Sequence, residues 1–161
     1  MQYSANAGVG VTRCGDPGRR IYPFGQVNFI CLNPSTADET NDDPTVRRCI
    51  NFAKSWAFGS LVVTNIFAWR STDPAALYSA DTPDPVGRYN NDWIRGIAVE
   101  SDLVIAAWGV HGRHLGRSTR VREILAEAGV KLHYLRLGKL EPWHPLYLPA
   151  ALKPIEWSYE R

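Results

Sequence analysis

Apolar residues fall into four nearly unbroken runs, each ending abruptly in polar, glycine or proline residues: Val27 to Leu32, Ser60 to Phe67, Leu103 to Trp108 and Lys131 to Leu137. Short runs rich in β-branched residues, without strict alternation, predict strands buried on both faces. Between them the spacing changes. Val46, Cys49, Ile50, Ala53 and Trp56 recur at helical intervals behind Asp43-Pro44, a cap followed by proline at the first helical position, and Gly59 sits just past the end. Tyr89 to Val99 predicts a second helix. A third spans roughly 113 to 128, with Val121, Ile124, Leu125 and Ala128 as its inner stripe before Gly129.

Ahead of these elements, Val9 to Cys14 and Arg19 to Phe24 alternate around Gly15-Asp16-Pro17-Gly18, which predicts a hairpin within an extension over residues 1–26. Residues 70–85 predict a loop with one turn of helix at Ala75 to Tyr78. The order βα-βα-βα-β implies an α/β fold: three layers, α/β/α, around a central, mostly parallel four-stranded sheet. No repeat or linker interrupts the chain, so residues 1–161 are expected to form one domain.

Composition narrows the classes. Hydrophobic residues make up 45% and charged ones 21%, enough apolar surface for a packed core, so a disordered chain is excluded. No run of about 18 apolar residues predicts a membrane span, and Met1-Gln2-Tyr3-Ser4 lacks the layout of a signal peptide, so a soluble, cytoplasmic protein is expected. Three cysteines (Cys14, Cys31, Cys49) without CxxC spacing argue against a disulfide framework or a cysteine-rich metal site. No metal, cofactor or obligatory protein partner is expected.

Net charge is only +2, but it is unevenly spread. Asp38, Glu39, Asp42 and Asp43 cluster together, whereas residues 111–122 carry His111, Arg113, His114, Arg117, Arg120 and Arg122 without one acid. That stretch is either a solvated helix face or a local phosphate-binding surface, with Arg113, Arg117 and Arg120 as the contacts.

Candidate chemistry sits at the strand ends. The first run stops at Asn33-Pro34-Ser35-Thr36-Ala37-Asp38, and His144-Pro145-Leu146-Tyr147-Leu148-Pro149 follows the last. In open α/β sheets ligands bind outside the carboxyl ends of the strands, so two X-Pro endings suggest one cleft built from both.

The pattern resembles the uracil-DNA glycosylase superfamily. Cys31-Leu32-Asn33-Pro34-Ser35 is similar to its first motif, G-x-[N/D]-P, and His144-Pro145-Leu146-Tyr147-Leu148 to its second, H-P-S-x-L. Val63 to Pro74 resembles the strand whose asparagine reads the pyrimidine edge, and Val104 to Gly109 the strand ending in glycine. The resemblance covers residues 27–149. Asparagine at position 33 is similar to the mismatch-specific uracil/thymine branch. The LNPSTAD and HPLYLP signatures also resemble those of an uncharacterised bacterial and viral family.

The resemblance implies a metal-free, monofunctional DNA glycosylase that flips a pyrimidine and leaves an abasic site. Asn33 would orient the attacking water, or else close the strand as an Asx-turn. An amide is a weak base, so Asp38 is a candidate to assist, while Asp43 reads as a helix cap. Asn65 would read a uracil-like or cytosine-like edge, or satisfy the strand end. His144 would donate to the developing charge on the base, or to nearby backbone. Leu146, Tyr147 and Leu148 would wedge into the DNA stack or anchor the loop. Phe67 and Trp69 flank the reading strand as base-binding candidates, and Trp143 is a second stacking candidate.

Ser35 stands where the uracil-specific branch carries a bulky tyrosine, so the pocket is expected to admit a mismatched, damaged or C5-modified pyrimidine, including hypermodified cytosine of phage DNA, as in a defence factor. A non-catalytic nucleotide- or nucleic-acid-binding module is the alternative. His111 and His114 have i, i+3 spacing but lack the further ligands of a zinc site. Ala7-Gly8-Val9-Gly10 follows no predicted strand and is no dinucleotide fingerprint.

Overall fold

A computed structural model describes residues 2–6, 9–13, 25–36 and 43–158. The first described elements are a two-stranded antiparallel pair, β1 (Gln2–Asn6) and β2 (Val9–Arg13). An antiparallel pair thus precedes the main sheet, with Val9–Arg13 against Gln2–Asn6, while the predicted turn at 15–18 lies outside the described residues. The predicted partner arm, 19–24, lies outside the described residues.

The main sheet has five strands: β3 (Gln26–Cys31), β4 (Ser60–Asn65), β5 (Leu103–Ala106), β6 (Leu132–Tyr134) and β7 (Ile155–Glu156), in the order β4-β3-β5-β6-β7. The first four are the four predicted strands and run parallel. The four-stranded expectation is corrected by β7, which joins the edge antiparallel to β6. Two exposed residues, Ile155 and Glu156, have too little pattern to predict a strand.

Helices α1 (Pro44–Ser55), α2 (Asn90–Val99) and α3 (Arg117–Glu127) connect the strands. Asp43 caps α1 as expected, its side chain accepting from the Thr45 and Val46 N–H groups. The third helix starts later than the basic run predicts. Residues 110–116 form a 3-10 turn that breaks at His114 and Leu115, the latter at a φ of 52°. Residues 74–78 form the predicted short turn, also 3-10.

Alternate strand residues feed two cores, which is why the runs are apolar throughout. Val27, Phe29, Cys31, Leu61, Val63 and Ile105 pack with α1 on one face. Ile30, Val104, Ala106 and Leu132 pack with α2 and α3 on the other. This division places the site. The chain leaves β3 for β4 on one side, then crosses back to β5 on the other. The loops after β3 and β5 therefore diverge to opposite faces and open a crevice at the carboxyl edge.

Candidate functional site

A cavity of about 1110 Å³ occupies that crevice. Its walls come from the ends of all four parallel strands: Asn33 to Thr36 after β3, Asn65 and Arg70 to Thr72 at and after β4, Trp108 to His111 and Arg113 after β5, and residues 138–144 after β6. The start of α1 closes one side. Asn33, Ser35, Asn65, His144 and Leu146, scattered over the chain, thus share one hollow.

Asn65 ends β4, paired with Cys31 of β3. It is 4% exposed, yet its side-chain amide makes no hydrogen bond to any described residue. Its backbone is fully engaged: the Asn90 amide donates to the carbonyls of Asn65 and Ile66, each at 3.0 Å, and Arg117 Nε donates to Ile66 at 2.9 Å. The strand end is therefore satisfied by other residues, which leaves the Asn65 amide free.

Asn33 is used differently. Its Nδ2 donates to the carbonyls of Pro34 (3.2 Å), Trp69 (3.3 Å) and Ser71 (2.8 Å). Three acceptors around one atom fix which end of the amide is nitrogen. Asn33 is thus a tie between the loops after β3 and β4, reinforced by Ser71 N–H donating to Pro34. Its Oδ1 accepts nothing from the described residues, and Asn33 is one of the residues that line the cavity. Ser35 Oγ donates to Asp43 Oδ2 at 2.7 Å, so the small wall residue is pinned to the helix cap. Asp38 lies outside the described residues.

His144 starts a 3-10 turn over Pro145–Tyr147. Its Nδ1 accepts from Leu146 N–H at 3.4 Å, which puts the neutral ring's proton on Nε2. Burial pushes its pKa below the ordinary 6.5, while Asp43 pulls the other way. Burial prevails, and the imidazole is neutral at pH 7.

Five aromatic or apolar candidates separate by burial. Tyr147 is 77% exposed at the rim, a geometry open to wedging. Leu148 is instead a core residue packed with α1, its carbonyl accepting from Arg48, and it does not line the cavity. Phe67 is likewise corrected: it lies fully buried in the α2–α3 core, away from the cavity wall. Trp69 is partly exposed but contributes its carbonyl to Asn33, not its ring to the wall. Trp143, exposed, does line the cavity.

The basic stretch divides as sharply. Arg113 lines the cavity. Arg117 is buried against the β4 end, where it donates to Ile66, its pKa lowered to about 10 by burial and then by Arg120, and it does not line the cavity. Arg120 pairs with Glu123 at 3.2 Å on the outer surface of α3 and is not a cavity residue. His111 and His114 pack with Tyr78: its hydroxyl lies 3.1 Å from His111 Nδ1, and its ring 4.2 Å from that of His114.

Glu141 has no counterpart among the sequence-derived candidates. It is buried in the cavity wall, accepting from Trp108 Nε1 at 2.8 Å and Ser118 Oγ at 2.7 Å. It staples the turn after β6 to the end of β5 and the start of α3. Gly112 belongs to the same assembly, because a Cβ there would stand 2.1 Å from Trp108 Cδ1. A single acid inside LGKLEPWHP carries no periodic or spacing signal, so sequence reasoning had no way to single it out.

Compared with known proteins, the chain has no match among curated proteins or solved structures. A family profile described as "Protein of unknown function (DUF1643)" matches residues 21–146. That span runs from just before β3 to Leu146 and includes the four parallel strands and nearly all of the cavity wall. The chain belongs to the DUF1643 family.

Proposed function

We propose that the cavity receives a pyrimidine swung out of a DNA strand and that the protein hydrolyses its N-glycosidic bond, in keeping with the resemblance to uracil-DNA glycosylases. The observation that carries this reading is Asn65: a side-chain amide in the cavity wall that makes no hydrogen bond to the described residues. With no partner among the described residues, that amide is open to a ligand in the cavity. An amide offers one donor and one acceptor edge, the pair that matches O4 and N3 of a uracil-like ring or, turned over, N3 and the N4 amine of cytosine.

Breaking the bond leaves positive charge on the sugar and negative charge on the departing base. The neutral His144 keeps its Nε2 proton for the base oxygen that gains charge. Asn33 Oδ1 is the acceptor that orients the water. The water oxygen bonds to the sugar cation once the base has left, the proton it loses passes to solvent, and the base anion is protonated from solvent. Helices on both faces of four parallel strands support a glycosylase-like layering. The small Ser35 favours mismatched, damaged or C5-modified pyrimidines. Hypermodified cytosines of phage DNA are one such class, and a defence role would follow.

One observation favours a second reading, a pocket that binds a nucleotide or nucleic acid without cleaving it. Asn33 spends its nitrogen on three backbone carbonyls, and no described carboxylate hydrogen-bonds to it. Incubation with mismatched and C5-modified duplexes and phage DNA, followed by mass spectrometry of released bases and alkali treatment, separates the two. Base release by the wild type that is lost in Asn65→Ala, with the fold retained, supports the glycosylase. Tight binding with no base released across the panel supports the binding module.

A further inference from the structure

Three cations surround the cavity from three different loops: Arg70 after β4, Arg113 after β5 and Lys139 in the turn after β6. All three are exposed, and none makes an ion pair, hydrogen bond or ring contact with the described residues. The acids in the same wall are spoken for. Asp43 is held by the Thr45 and Val46 N–H groups and Ser35, and Glu141 by Trp108 and Ser118. Among the described residues, the charged groups of the cavity wall without partners are therefore all positive, and the amides of Asn33 and Asn65 line the same wall. Two exposed aromatic residues, Trp143 and Tyr147, line the same cavity.

We propose that Arg70, Arg113 and Lys139 form a seat for the phosphate of the nucleotide whose base occupies the cavity. The inference rests on the reading of the pocket as a pyrimidine site, and it names the second half of the ligand. Long, unpaired side chains converging from separate loops suit a phosphate, which offers acceptors in several directions and no donor. Rings interleaved with cations are the arrangement by which proteins hold unstacked nucleotides. The seat also relocates the basic surface: Arg117 and Arg120 of the same stretch take no part. Lys139 reaches the rim only because Glu141 fixes its turn, with Gly138 N–H donating to the Glu141 carbonyl at 2.9 Å.

The shared chemistry is a phosphate ester, from a free nucleotide or from the backbone flanking an extruded base. The test compares nucleosides, their 5′-monophosphates and short single-stranded oligonucleotides of mixed sequence, by calorimetry and fluorescence anisotropy over a range of salt. The variant is Arg70→Gln/Arg113→Gln/Lys139→Gln, with Arg120→Gln as a control. For oligonucleotides the wild type is expected to show a salt slope about two units steeper than the triple variant, following roughly −0.7 per phosphate contact. Affinity at low salt should fall about tenfold or more in the triple variant and stay unchanged in the control.

A gain already present in the monophosphates assigns the seat to a free nucleotide's phosphate, and a gain confined to oligonucleotides assigns it to the backbone. Equal oligonucleotide affinity and slope in the wild type and a folded triple variant, or no phosphate-dependent binding at all, overturns the seat. The melting temperature of the triple variant certifies the fold. Base release by the wild type, with binding untouched by the triple substitution, removes the seat and leaves the glycosylase reading. Rim-dependent binding with no base released does the reverse.

Discussion

Asn33 Nδ2 lies 2.8 Å from the Ser71 carbonyl, and this contact joins the end of the first parallel strand to the loop that follows its neighbour. The residue proposed to orient water is therefore also a structural tie. Replacement by aspartate would set a carboxylate oxygen against three carbonyls. Asn33→Asp is expected to lose about 1–3 kcal/mol of stability in urea denaturation, and to slow rather than speed any base release. A variant as stable as the wild type and faster would show that the tie is dispensable.

Arg117 and Arg120 are three residues apart but differ in what they hold. Arg117→Leu removes the donor to Ile66 at the β4 end and should cost about 1–3 kcal/mol. Arg120→Ala breaks an exposed pair and should stay within about 0.5 kcal/mol. Denaturant titrations of both variants check the contrast.

Glu141→Ala would strand two buried donors, Trp108 Nε1 and Ser118 Oγ. The expected loss is about 2–4 kcal/mol, whereas Glu141→Gln keeps one acceptor oxygen and should lose less. The two midpoints in urea, compared at equal slope, decide between them.

His144 gives the fold a pH dependence. Its pKa is lowered on folding from 6.5, so below that value the unfolded chain takes up a proton that the native state refuses. Its contribution is therefore present at neutral pH and is lost as pH falls below about 6.5. Thermal melts of the wild type and His144→Gln across that window should diverge, with the variant showing the flatter profile.

Much of this was legible in the residues. The four apolar runs became the four parallel strands because strands fed from both faces need no alternation. Asp43-Pro44 started a helix because its side chain satisfies two orphan N–H groups. Asn33, Asn65 and His144 met because strand ends on one sheet edge must be neighbours. What failed was the burial of individual side chains. Phe67, Leu148 and Arg117 sit one to four residues from cavity residues, and a helix break at His114–Leu115 separates Arg113 from Arg117. Local sequence does not encode that choice; packing from distant elements does. β7 escaped because two exposed residues carry no period, and Glu141 because a staple is defined by its distant partners.

The position of β3 has a consequence for synthesis. It is the earliest strand of the main sheet, yet it lies between β4 and β5 and stays exposed along one side until β5 emerges. The last wall of the hollow, with Glu141 and His144, follows later still. A ribosome-bound chain thus carries an open, adhesive strand and no working pocket, so nascent protein has reason to meet a chaperone before it can meet any ligand.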